Sequence, residues 1–395
     1  MPKPPSYIEM ERARSHAWKR STRTLPREAK VPAPYVGKDG VLDGPPYDFC
    51  LPAEYAAFSL LPEVRATALS LFSDLGIPWH AGVGDGPSNH LLSSQVQCVN
   101  ALGQMVSEPD RLQRAFADVL GTSEVLEVEP GRFLTFEYIG GIDYFDEARG
   151  QQRVRGAHCT SVDAAFLHRT EDGVVELVLL EWKYTEWYRP RVPDPARDAV
   201  RRARYEAALM AADGPVRGDL LGVADLLDEP FYQLMRQQLL AHQLESDHAH
   251  GADRVRVVHV LAAANTAYQQ SIHRPAQRAL GASVAEVWAR LLRRPDRFVS
   301  LDSALFCDLG ITSEEYAERY GDRLAGDRVE VLRLCGGDVE DHLYAQVDYD
   351  GEVDVRDEGV ELIVTGRGTV LEYPFSLLEL YDLAREVEAE AEKRP

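Results

Sequence analysis

The run VVELVLLEWKYTE, residues 174–186, ends a strongly apolar stretch with a carboxylate and an ammonium, Glu181 and Lys183, on either side of Trp182. Side chains of a β-strand alternate between faces, so Glu181 and Lys183 share one face and Trp182 takes the other. Just upstream, SVDAAFLHR reads as a partner strand, and the intervening TEDG is a turn signal. A turn centred near Glu171–Asp172 sets Asp163 opposite a residue between 180 and 182, beside Glu181. The pattern gathers Asp163, Glu181 and Lys183 at one end of a buried hairpin. Two carboxylates on adjacent strands repel unless positive charge lies between them. A divalent cation supplies that charge, and carboxylate oxygens suit Mg²⁺, with Mn²⁺ as its substitute. A neighbouring lysine orients a water and offsets charge building on a phosphate. The set therefore reads as a kit for phosphodiester hydrolysis, with Asp163 and Glu181 as metal ligands. Glu-x-Lys alone is an ordinary surface ion pair in many strands. Asp163 and the buried run before Glu181 give the pattern its weight, because charges at the end of such a strand need a partner or a role.

Several elements must hold this hairpin. SSQVQCVNALGQMV has Val96, Val99 and Val106 on one helical face and a serine N-cap. PDRLQRAFADVLG reads as a second helix, with Pro109 in its first turn and Gly121 as its stop. EVLEVEP and RFLTFEYIG are further strands before the hairpin. After it come a helix on PFYQLMRQQLLAHQLES, a buried strand RVRVVHVLAAA, and helices around Ala279–Leu292 and Ser313–Tyr320. Residues 31–90 break often at Pro and Gly, with one helix from about Ala53 to Leu75. The glycines Gly82, Gly84 and Gly86 form a loop and not a phosphate cradle, since no Lys-Ser/Thr follows them. Beyond Asp327 the chain turns to short strands and a closing charged helix, SLLELYDLAREVEAEAEKR.

Composition narrows the class. The chain has 395 residues, 45% hydrophobic and 27% charged, with a net charge of -21. That charge opposes broad adhesion to nucleic acid or anionic membrane, but not a local basic surface. No apolar run is long enough to span a membrane, and the start has no signal-peptide core. Five widely spaced cysteines fit neither a disulfide framework nor a zinc knuckle, so a reduced cytoplasm is the simplest compartment. His158, Cys159 and His168 read as packing residues, and Trp182, Tyr184, Trp187 and Tyr188 as core and sheet-edge aromatics. Two segments are basic. Residues 1–30 hold eight Lys/Arg against three Glu, which reads either as a solvated tail or as an arm on phosphates. Arg189 to Arg204 holds six Arg against two Asp directly after the Glu181 strand. Its Arg189, Arg191, Arg201 and Arg202 are candidate phosphate contacts.

An Asp followed by Glu-x-Lys on adjacent strands, behind a helix, resembles the PD-(D/E)XK nuclease superfamily. LLSSQVQCVNALGQM further resembles the Ser-Ser-Gln-x-x-Cys-x-Asn-x-x-Gly helix of a bacterial restriction-endonuclease-like group within it. Segments resembling EWKYTE, PFYQLMRQQLLAHQL and VVHVLAAANTAY follow in that group's order, so the likeness covers about residues 85–300. Val162 stands where the superfamily has its proline. The resemblance implies an α/β fold with a mixed central sheet flanked by helices, and the site at one end of the sheet. It implies metal and catalytic roles for Asp163, Glu181 and Lys183, approach of Gln95 to the metal site, and Gln233 or Arg236 beside the scissile phosphate. The expected layout is a basic N-terminal and helical/loop region over 1–84, the nuclease-like domain over 85–325 and a small α+β region over 326–395. The expected function is Mg²⁺-dependent cleavage of nucleic acid, DNA in the first instance, in restriction or defence. The alternatives are a catalytically inactive binding or scaffold subunit of nuclease fold, and an RNA-directed nuclease. A homo-dimer or a partner protein stays open.

Overall fold

The computed structural model describes residues 6–37 and 40–321 and, beyond these, the backbone of five short strands. The chain divides into two units, Met1–Arg319 and Tyr320–Pro395. The first contains helices α1 (Tyr7–Ser21), α2 (Pro62–Asp74), α3 (Ser94–Leu102), α4 (Pro109–Leu120), α5 (Pro195–Met210), α6 (Phe231–Ser246), α7 (Thr266–Gln269), α8 (Pro275–Arg278) and α9 (Val284–Leu291), and α10 (Glu314–Tyr320) ends at its boundary. Its strands are β1 (Ala33–Gly37), β2 (Gly40–Tyr47), β3 (Thr122–Leu126), β4 (Leu134–Tyr138), β5 (Val162–Thr170), β6 (Val175–Lys183), β7 (Arg254–Leu261) and β8 (Phe298–Asp302).

The last six strands form one mixed sheet in the order β3-β5-β6-β7-β8, with β4 also on β5. The pairs among β3 to β6 are antiparallel, and β6–β7 and β7–β8 are parallel. The hairpin register is the expected one: Ala164 lies opposite Leu180 and Arg169 opposite Val175. Helices cover both faces. On one face Phe166 lies 4.7 Å from Phe116 of α4, and Trp182 lies 4.9 Å from Phe306 between ring centroids. Odd-numbered Ala165, Leu167, Leu177 and Leu179 join Val255 and Val257 in a core with Leu234 and Met235 of α6 and Trp288 of α9. This is the α/β restriction-endonuclease-like architecture expected of the chain.

Local chemistry explains the helix limits. Ser93 accepts a hydrogen bond from the Val96 amide at 3.4 Å and starts α3. Gly121 takes φ 66°, the left-handed turn that ends α4. The expected helix over Ala53–Leu75 is two pieces, a 3₁₀ turn at Ala53–Ser59 and then α2, because Leu60 and Leu61 are extended before Pro62. Of the helix expected around Ala279–Leu292 only α9 forms, started by the Ser283 hydroxyl accepting from the Glu286 amide, and the short α8 precedes the expected start. The arginine-rich loop turns helical at Pro195, capped by Asp194, whose carboxylate accepts from the Arg197 amide at 3.0 Å. The broken Pro/Gly stretch at 33–47 holds an antiparallel ribbon, β1 on β2.

The largest correction concerns residues 6–30. They are no tail: α1 docks through Trp18, which is 1% exposed, and buries Lys19, whose ammonium donates to the carbonyls of Val31 and Cys50 at 2.7 and 2.6 Å. Trp18 also donates from its indole nitrogen to Glu315 at 2.8 Å. Part of the basic excess, Lys19 and Lys30, is therefore spent on the protein's own carbonyls. Residues 1–84 belong to the same unit as the sheet.

In the second unit, β9 (Glu330–Cys335), β12 (Gly359–Val364) and β11 (Glu352–Arg356) form an antiparallel sheet, and β10 (Leu343–Ala345) pairs with β13 (Tyr373–Phe375). The charged closing helix lies outside the described residues. Among the described residues Cys50, Cys98 and Cys159 are free thiols, and no helix is long and apolar enough to cross a membrane.

Trp18→Ala removes a buried ring and one of three donors to Glu315, the Thr22 and Thr24 hydroxyls remaining, and is expected to cost about 3–5 kcal/mol. Chemical denaturation checks this. A change below about 0.5 kcal/mol, the scale of ordinary surface substitutions, would return α1 to the status of a tail.

Candidate active site

The site forms where β4, β5, β6 and β7 lie side by side. The parallel register sets His259 beside Glu181 and Leu261 beside Lys183. Glu181 and Lys183 are 2% and 7% exposed, with Lys183 Nζ 2.6 Å from Glu181 Oε1. Two glutamines from α6, one turn apart, complete the cage. Gln233 Nε2 donates to Glu181 Oε1 at 2.6 Å, and Gln237 Nε2 donates to Oε2. Gln237 Oε1 is itself buried without a hydrogen-bond partner among the described residues. Asp163 stands next to Glu181 on β5, and its Oδ2 accepts from the Trp182 amide at 2.6 Å.

A third carboxylate, Glu137 on β4, joins this pair. Its backbone takes φ 47°, a conformation strained for any residue with a side chain. The strand changes faces there: Phe136 meets Phe72 of α2 at 5.7 Å, while Tyr138, two residues on, enters the α6 core. Gln95 of α3 donates to Glu137 Oε1 at 3.1 Å, and the Ser161 hydroxyl donates to Oε2 at 3.0 Å. Gln95 also accepts from the His80 amide at 2.8 Å, which ties the carboxylate to the preceding loop. Gln95 thus reaches the acidic cluster through Glu137. The sequence signal for Glu137 was a lone acid inside the apolar strand RFLTFEYIG, which by itself reads as a solvent-facing residue.

Electrostatics follow from this crowding. Loss of solvent, then the charges of Glu181 and Glu137, push the Asp163 carboxyl well above the usual range, and Lys183 opposes them. Loss of solvent raises Glu137 too, with the charge of Glu181 adding to it against the Ser161 and Gln95 bonds. Burial alone would lower Lys183, but the adjacent Glu181 carboxylate wins and holds the ammonium charged well above its usual limit. Burial, with Lys183 adding, depresses His259 to about 3, so its imidazole is neutral. Its Nε2 lies 3.1 Å from the Tyr268 hydroxyl.

Other residues of the motif segments position the strand. On α3, Ser94 donates to the Trp182 carbonyl at 3.0 Å, and Gln97 accepts from the Trp182 indole at 2.9 Å. Asn100 holds the Leu61 amide and the Ser59 carbonyl at 2.8 and 3.1 Å. A Cβ on Gly103 would lie 2.8 Å from Val64, so only glycine lets α2 approach. Past Lys183, Asn265 donates to the carbonyls of Tyr184 and Glu186, both at 3.0 Å, and Glu186 folds back to accept from the Tyr184 amide.

The basic candidates divide. Arg189 is exposed over the Trp187 ring, and Arg202 is half-buried beside Glu206. Trp187 is 45% exposed, so it is not a core aromatic. Arg191 is clamped by Asp198 and Asp228 at 2.7 and 2.9 Å. Arg201 is buried, donates to the Leu227 carbonyl and stacks on Tyr232. Arg236 is held by Glu147 at 3.2 Å and Thr160 at 3.1 Å. These three guanidiniums stitch the protein together and are not free for phosphates.

Among the described residues no three His, Cys, Asp or Glu side chains are set closely enough to close round a metal ion. The acidic side chains are turned instead towards Lys183, Gln95, Gln233 and Gln237.

A family model described as Restriction Endonuclease associating with ARP matches residues 12–321, and the chain belongs to that family. No curated protein and no solved structure matches the chain.

The raised Asp163 carboxyl has a consequence for stability. The folded protein holds that proton more tightly than the unfolded chain, whose aspartates titrate near about 4. The stabilising contribution is therefore complete below about pH 4 and lost as pH rises through the folded value. In metal-free protein, the Tm of the wild type relative to Asp163→Asn should fall as pH rises from about 4 towards neutral. Parallel Tm profiles for the two proteins would show that Asp163 feels no crowding.

Proposed function

We propose that this member of the restriction-endonuclease-like family is a PD-(D/E)XK nuclease that hydrolyses phosphodiester bonds, with DNA as its substrate and restriction or defence as its setting. One observation carries the reading: Asp163, Glu181 and Lys183, from adjacent strands, meet at one end of the sheet with an acid-to-ammonium contact of 2.6 Å. The donor set is all oxygen, which suits Mg²⁺ or Mn²⁺. Excess negative charge around Asp163 and the unpartnered Gln237 Oε1 both favour a cation there. Asp163 and Glu181 would hold the ion, with Glu137 beside them. When bound, it supplies a Lewis acid and eases deprotonation of a water. Lys183 keeps its proton at Nζ and presents positive charge where the phosphate becomes more negative. Gln233 and Gln237 orient Glu181, and Gln95 orients Glu137. Arg189 and Arg202 remain as phosphate contacts. The family's description, association with ARP, supports a protein partner, and the reduced cytoplasm is the compartment that fits free thiols.

A second reading has its own observation. Lys183, Gln233 and Gln237 already take up both oxygens of Glu181, so a metal ion must displace donors to reach it. A binding subunit of nuclease fold would keep this closed arrangement.

The test is cleavage of mixed DNA and RNA substrates with Mg²⁺, Mn²⁺ or EDTA, together with metal titration. Cleavage should need the metal and stop in EDTA. Asp163→Asn should lose both metal binding and cleavage. Lys183→Ala should retain metal binding and lose about 10²–10³ in rate, the range for one preorganised charge-stabilising group. Wild-type rates in either variant would overturn the assignment. A parent protein with neither metal binding nor cleavage would establish the binding-subunit reading.

A further inference from the structure

A cavity of about 240 Å³ lies at the other end of α6 from the acidic cluster. The two sites use different faces of the helix: Gln237 bonds Glu181, while its neighbour Gln238 lines the cavity, followed by His242 and Glu245. Arg293, Arg294 and Arg297 complete the polar wall, and Val255 and Leu292 supply apolar surface.

Two features make this more than a surface hollow. Gln238 is 2% exposed, and its Oε1 has no hydrogen-bond partner among the described residues. Burying such a group unmet costs free energy, so the site favours a molecule that answers a carboxamide with a donor and an acceptor. The second feature is charge. Glu245 is already neutralised: it accepts from Arg297 at 2.9 Å and the Val255 amide at 2.8 Å, and pairs with Arg294. The Arg293 backbone amide donates to the Pro215 carbonyl at 2.9 Å, while its side chain makes no hydrogen bond or ion pair among the described residues; its charge reaches Asp219, which Arg217 already pairs. The mouth therefore presents a guanidinium with no hydrogen-bonded partner next to two that share the Glu245 carboxylate, of which Arg297 also holds Asp296. Guanidiniums in such a cluster select phosphate by forked, charge-assisted hydrogen bonds. The volume admits one small molecule and not a nucleic-acid strand.

We propose that this cavity binds a small phosphomonoester bearing a heterocycle, with the chemistry of a nucleoside monophosphate. Its phosphate lies on Arg293 and Arg294, and its heterocycle edge pairs with the Gln238 carboxamide. The site is separate from the acidic cluster and stands whether or not the chain is a nuclease.

Calorimetric titration of the full chain with the four ribonucleoside monophosphates, the free nucleosides and inorganic phosphate tests this. At least one monophosphate should bind, and its nucleoside and inorganic phosphate should each bind at least about tenfold more weakly, since each keeps only half the contacts. Arg293→Ala, at an exposed position, should weaken binding about tenfold or more without changing Tm. Gln238→Leu should weaken it similarly and level the differences among bases. Lys183→Ala should leave it unchanged, which separates this cavity from the acidic cluster. Absence of binding by all four monophosphates overturns the proposal. So does binding that survives Arg293→Ala, or inorganic phosphate binding as tightly as the nucleotides.

Discussion

Like charge crowded onto adjacent strands is the constraint that organises this protein. Asp163 sits with Glu181 on one side and Glu137 on the other, and Lys183 is the ammonium set against Glu181. A cluster of that kind is stable only when donors surround it and fix each oxygen. The donors come from both helical layers. Gln95 of α3 and Ser161 serve Glu137, Gln233 and Gln237 of α6 serve Glu181, and the Trp182 amide serves Asp163. The two layers are thereby tied to one end of the sheet.

The helix α3 acts as a rail for the strand that carries Glu181 and Lys183. Its polar residues divide the work: Ser94 and Gln97 grip the backbone and ring of Trp182, and Asn100 caps the start of α2. Trp182 faces away from Glu181 and Lys183, so fixing it fixes the register of both without touching either. Gly103 lets α2 close against the far end of α3. Beyond the strand, Asn265 and the Glu186 carboxylate hold the exit, and Glu11 of α1 accepts from the Tyr184 hydroxyl at 2.6 Å. The N-terminal helix thus contributes to the same support.

Arginine in this chain serves mostly as internal mortar. The net charge of -21 sets many carboxylates near each other, and guanidiniums with several donors each are suited to bridge them. Arg191 spans two aspartates, Arg236 joins Glu147 to α6, and Arg254 and Arg256 neutralise the fully buried Glu176. An arginine-rich sequence segment therefore overstates the surface positive charge. Among the candidates from that segment, Arg189 stays exposed and Arg202 is half-buried beside Glu206.

The sequence alone determined the hairpin and what it carries. Alternation in SVDAAFLHR and VVELVLLEWK, with TEDG between them, is a local code in which turn chemistry sets register and register sets neighbours. Asp163, Glu181 and Lys183 follow from it, as do the limits of α3 and α4 from their caps. Glu137 does not follow. Its strand precedes β5 by more than twenty residues of loop, so no turn rule ties the two, and its reversal of faces depends on a strained φ that the surroundings impose. The helix that carries Gln233 and Gln237 was legible, but the aim of both at Glu181 depends on which face of the sheet that helix covers. The same holds for Lys19, Arg201 and Arg236, whose charges look free in the sequence. Only tertiary packing decides whether a charged side chain meets solvent or a carbonyl, because that choice rests on contacts between segments distant in the chain.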